Sequence, residues 1–160
     1  MISQTLSRFL AGALLLATTL VNSSPIPIIN ERDTAERYIF ANCVNNATSK
    51  GYAAIFWYYP DFLPDFPEPQ ETAYVNNKTT VKYEGKTTKV TSPFTLSAAI
   101  PSNATKAAEG DIVSTAASAS SFAGPMAVIK GSGEIFYTPE ANVNCYEAYW
   151  QRDNQPVEDP

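Results

Sequence analysis

The 160-residue sequence contains no histidine and only two cysteines. Without histidine there is no Ser-His-Asp or Cys-His nucleophilic site, no HExxH zinc hydrolysis, and no histidine acid–base pair of the kind most secreted ribonucleases use. Basic residues are scarce too, 11 Lys and Arg against 16 Asp and Glu. A chain this acidic lacks the clustered cations that displace counterions from phosphates, which excludes nucleic acid as a partner and adsorption to anionic membranes. Beyond residue 20 no apolar run approaches the roughly 20 residues needed to span a bilayer. There is no heptad, no internal repeat and little helical periodicity.

What is present begins with MISQTLSRFLAGALLLATTLVNSS. Arg8 supplies positive charge, Phe9 to Leu20 is almost wholly apolar, and small residues follow, which is the three-part pattern of a secretory signal peptide. Val21 and Ser23 suit the peptidase, so residues 1–23 are expected to be removed and the protein to be secreted and extracellular. The polar end QRDNQPVEDP carries neither the hydrophobic tail of a GPI signal nor a retrieval signal. The expected layout is an N-terminal arm over 24–35, a single β-rich domain over 36–151 and a disordered tail over 152–160. After loss of Arg8 the domain is still more acidic, a balance that favours solubility.

In an oxidising compartment Cys43 and Cys145 permit one intramolecular disulfide, which ties the start of the domain to its end. Three N-x-S/T sequons place N-glycosylation at Asn46, Asn77 and Asn103, each in a polar stretch that reads as turn or strand edge. A fourth match at Asn22 straddles the cleavage site and is discounted.

Short β-rich runs punctuated by Gly, Pro and Asn recur along the chain, as in an all-β sandwich or barrel closed by one disulfide, with room for one short helix. Strands are expected over 36–43, 52–59, 94–100 and 144–150. Glu84-Gly85 reads as the turn of a hairpin within 72–92, and Gly131-Ser132-Gly133 as the turn of another joining 127–130 to 134–138. The stretch 111–124 suits a helix or a tightly packed strand. Four prolines make PDFLPDFPEPQ an extended loop that cannot be an interior strand.

Six aromatics fall between positions 56 and 66. YAAIFWYY is apolar on both faces, so its default place is a central strand buried on both sides. The competing reading makes Trp57 and Tyr59 an outward platform, extended by Tyr146 and Trp150, which share a face by strand parity. Asp61, Asp65, Glu68 and Glu71 are the residues a carboxylate-based glycoside hydrolase would draw on. Their spacing does not follow the EF-hand pattern, and no metal or cofactor is expected.

The signal peptide, the size, Cys43 in YIFANC and Cys145 in NVNCYEAYW together resemble the small secreted proteins of fungi that include candidate effectors. A ribonuclease-like subset of that class joins its termini by one disulfide and lacks catalytic residues. The long proline loop and the lack of a clear helix after Cys43 set this chain apart from that subset. The export signals and the shortage of catalytic groups point to a non-enzymatic protein that binds an extracellular protein outside the cell, and the resemblance implies the role of an effector. The alternatives are a cell-wall carbohydrate-binding protein that stacks sugars on exposed aromatics, and the carboxylate hydrolase.

Overall fold

The computed structural model describes residues 36–59, 67–120 and 122–153. The expected signal peptide and the expected arm over 24–35, with Asp61 and Asp65, lie outside the described residues, as does the tail beyond Asp153. Among the described residues there are nine strands: β1 (Arg37–Asn45), β2 (Gly51–Tyr58), β3 (Glu71–Asn76), β4 (Lys86–Val90), β5 (Leu96–Ile100), β6 (Ile112–Ala119), β7 (Phe122–Lys130), β8 (Ile135–Glu140) and β9 (Val143–Asp153). A short 3-10 helix, Ser102–Lys106, is the one helical element among the described residues.

The sheet order is β3-β2-β1-β9-β7-β6-β5-β4, every pairing antiparallel. Apart from β8, spatial order is therefore chain order, and the last strand pairs with the first. This is an up-and-down, nearly closed barrel whose end strands β3 and β4 approach each other without pairing. Such closure removes most of the exposed edge that an open sheet would present.

The residues between β3 and β4 pack against β1 and into the interior. Asn42 on β1 accepts the Val81 N–H at its Oδ1 (2.9 Å) and donates from Nδ2 to the Val81 carbonyl (3.0 Å). Tyr83 is buried, its ring edge-on to Phe40, and its hydroxyl donates to the Ala41 carbonyl at 2.9 Å. Tyr38, Ile55, Leu96, Met126 and Tyr149 join them in the interior. An eight-stranded barrel is just wide enough for side chains to fill, and these aromatic and aliphatic groups fill it.

β2 is apolar on both faces because both are covered. Ala53 and Ile55 belong to the interior cluster, whereas Ala54, Phe56 and Tyr58 belong to a second cluster on the outside of the barrel. β8 supplies much of that outer cover. Phe136 and Tyr137 pack their rings against Phe56 with centroids 5.6 and 5.7 Å away. The Cys43–Cys145 disulfide lies in the same outer cluster and joins directly opposed residues of β1 and β9.

Both expected hairpins are corrected. Gly85 does sit in a turn, but β4 pairs with β5 and not with the residues before the turn. Likewise β7 and β8 do not pair with each other; each pairs with a different part of β9. Between them Gly131-Ser132-Gly133 crosses Glu147. The N–H groups of Gly131 and Gly133 donate to the carbonyls of Ala148 and Glu147, and the Ser132 N–H to the Glu147 carboxylate. The connection thus runs alongside β9, whose other edge is taken by β1, and β8 turns Phe136 and Tyr137 onto the outer cluster. The ambiguous 111–124 is β6 and the start of β7, and β9 runs to Asp153, past the expected domain end at 151.

Candidate functional site

Alternating strand direction sends six of the connections to one of two poles. The connections β1–β2, β3–β4 and β5–β6 lie at one pole. The connections β2–β3, β4–β5 and β6–β7 lie at the other, together with the start of β1 and the end of β9. Asn46, Asn77 and Asn103 occupy the first three connections, so all three sequons stand at a single pole, and all three asparagines are exposed.

Two of them are held in the same way. Asn45 Oδ1 accepts the N–H groups of Ala47 and Thr48, and Asn76 Oδ1 accepts those of Lys78 and Thr79. In each tetrapeptide, NNAT and NNKT, the first asparagine closes an Asx turn and the second is presented at its corner. Asn103 lies instead in the 3-10 helix. Between the two Asx turns opens a cleft of about 530 Å³, whose lining includes Thr48, Lys50, Tyr52, Asn77, Lys78 and Val143. Burial, with lesser repulsion from Tyr74, Glu140 and Tyr137, pushes the Tyr52 hydroxyl up to about 12, so it is a neutral donor at physiological pH. The Tyr52 ring packs at 5.5 Å on that of Tyr74, which is 59% exposed.

The opposite pole carries three of the four aromatics singled out from the sequence. Tyr59 is exposed, just past the end of β2. Its backbone is bracketed by the Gln70 side-chain amide, which accepts the Tyr59 N–H at 3.1 Å and donates to the Tyr59 carbonyl. Trp150 is half-buried on the outer face, with the Arg37 and Arg152 guanidinium groups 4.4 and 5.5 Å from its ring centroid. Trp57 is half-buried against the interior cluster, with its Nε1 buried and no hydrogen-bond partner among the described residues. These rings come together at one end of the molecule but not on one face, so they form no flat platform.

Tyr146 is separated from Trp150 by a β-bulge. Phe40 faces Tyr149 while Ala41 faces Glu147, which leaves Ala148 as the extra residue. One inserted residue reverses strand parity. Trp150 therefore joins the outer cluster, whereas Tyr146 lies opposite Asn42, whose side chain reaches across to Val81. The shared face expected for these two residues is corrected accordingly.

Of the acids, Glu68 is exposed and Glu71 half-buried at the start of β3. Among the described residues no group of three or more His, Cys, Asp and Glu could hold a metal ion. A carboxylate that the sequence did not single out, Glu84, accepts the Tyr149 hydroxyl at 2.6 Å. Burial alone would raise its pKa, but that hydrogen bond, its own backbone and the nearby Lys130 and Lys82 outweigh burial and lower it. The cleft residues Lys50, Tyr52 and Lys78 and the exposed Tyr74 were also missed. The repeated NNxT tetrapeptide was the available signal for the two turns.

No protein-family model, curated protein or solved structure matches the chain.

Proposed function

We propose that this is a secreted, glycosylated, non-enzymatic protein that binds an extracellular protein through the pole carrying Tyr59 and Trp150. The observation that supports this reading is the crowding of all three sequons at the other pole. Bulky, hydrated glycans there would block contact, while the opposite pole bears no sequon. That pole offers an exposed tyrosine and a tryptophan covered by two arginines, residue types that anchor protein interfaces. The resemblance to small secreted fungal proteins adds the more specific role of an effector.

A cell-wall polysaccharide is the second reading, and one observation favours it: the exposed Tyr74 ring paired with Tyr52. The two readings separate when the secreted protein is applied to insoluble chitin, β-glucan and cellulose and to intact cell surfaces, with Tyr59→Ala and Tyr74→Ala alongside. Binding to cell surfaces that Tyr59→Ala weakens supports the protein partner. Retention on a polymer that Tyr74→Ala abolishes would replace it with the polysaccharide.

A further inference from the structure

The cleft between the two Asx turns has the size of a small-ligand site, for which roughly 300–1,000 Å³ is usual. It nevertheless lies at the pole where glycans would crowd out a visitor. One of its lining residues, Asn77, is itself a sequon asparagine. We infer that the cleft seats the protein's own N-linked sugar, with the first N-acetylhexosamine on Asn77 lying against Tyr52 between Lys50 and Lys78. This rests on the proposal that the chain is secreted and glycosylated. The bond is the ordinary one: Asn77 Nδ2 gives up a proton and joins the anomeric carbon, and the lipid diphosphate of the donor leaves.

The lining fits a sugar. Tyr52 and Val143 offer apolar surface to the C–H face of a pyranose, and aromatic side chains with a polar tip suit such a surface. Lys50, Lys78 and Thr48 offer hydrogen-bond donors to hydroxyl and acetamido oxygens. The attachment point is fixed, because the Asn76 side chain holds the turn in which Asn77 sits. Tethering does the rest. A covalently held sugar is present at the cleft at an effective concentration of roughly millimolar or more, so a weak seat is kept filled. Asn46 and Asn103 do not line the cleft and serve as internal comparisons.

The test uses full-length protein recovered from the medium of a eukaryotic host that attaches high-mannose glycans. It is treated under native conditions with an endoglycosidase that cuts between the two core sugars, and each site is followed by glycopeptide mass spectrometry. The expected result is that Asn77 is trimmed at least tenfold more slowly than Asn103, and that prior denaturation removes the difference. Tyr52→Ser should also remove it. Lys50→Ala, at an exposed position, should narrow it even if the tyrosine variant fails to fold. Equal trimming of Asn77 and Asn103 in the native protein overturns the inference, as does a bare Asn77 beside glycosylated Asn46 and Asn103. A chain that carries no glycan at any site overturns the secretory-glycoprotein reading itself, and the seat with it.

Discussion

Asn42 grips Val81 with both atoms of its side-chain amide, accepting the N–H at 2.9 Å and donating to the carbonyl at 3.0 Å. Asn42 lies on β1, paired on both sides by β2 and β9, so its side chain ties the β3–β4 connection to the middle of the sheet. Asn42→Ala removes both bonds and leaves a part-buried peptide unit unpaired. A loss of about 2–3 kcal/mol is expected, since unsatisfied polar groups forfeit their desolvation cost. Asn76→Ala, in an exposed turn, should cost about 1 kcal/mol or less. Urea midpoints of the two variants measure the contrast.

Gly131 is tied to its position by close approach. A Cβ built there would lie 2.6 Å from Glu147 Cγ and 3.0 Å from the Glu147 carbonyl oxygen. The side chain can swing aside but the backbone cannot, so Gly131→Ala should destabilise by about 1–3 kcal/mol. Gly133→Ala meets no atom within 4 Å but must adopt φ +74°, which costs about 1 kcal/mol. A thermal melt that ranks the two in the reverse order would mean that the crossing over Glu147 is looser than described.

The legible part of the fold was the part written in local pattern. β1, β2, β5 and β9 follow from β-rich runs, and the disulfide follows from two cysteines in a chain whose start reads as an export signal. The pairing partners did not follow. Gly131-Ser132-Gly133 has the composition of a hairpin turn whether it folds β8 back on β7 or carries it across Glu147, and only the edge offered by β9 decides. The bulge at Ala148 is equally silent, because an alanine between Glu147 and Tyr149 carries no mark of being unpaired. The segregation of the sequons could not be read at all without the up-and-down order, although each sequon was plain.

Tyrosine burial should limit stability at alkaline pH. Burial raises the hydroxyl pKa values of Tyr52, Tyr58, Tyr83 and Tyr149, the last helped by its bond to Glu84. A raised folded-state pKa favours the neutral form in the folded protein. The resulting stability is therefore complete below the unfolded value of about 10 and declines as pH rises above it. Ionisation of these four rings, read as tyrosinate absorbance, should appear above pH 10, together with loss of the near-ultraviolet circular dichroism. Their ionisation near pH 10 with the fold intact would contradict the packing of the interior.

The disulfide closes a sequence separation of 102 residues. On the chain-entropy model that stabilises by roughly 4–5 kcal/mol. Replacing both cysteines by serine should lower the melting temperature by about 10 °C or more and reduce secretion yield. Melting of the variant with the native protein would show that the β1–β9 ladder alone closes the barrel.

The assignment of the binding pole is tested most directly by adding a glycan where none stands. Ser118 is exposed near the end of β6, beside the β6–β7 connection at the sequon-free pole, and Ser118→Asn creates the sequon Asn-Ala-Ser. With occupancy verified by mass spectrometry, attachment of the labelled secreted protein to cell surfaces should be lost in Ser118→Asn and retained in Asn103→Gln. Attachment that survives the Ser118 glycan but fails in Asn103→Gln would place the working surface at the sequon pole and contradict the account.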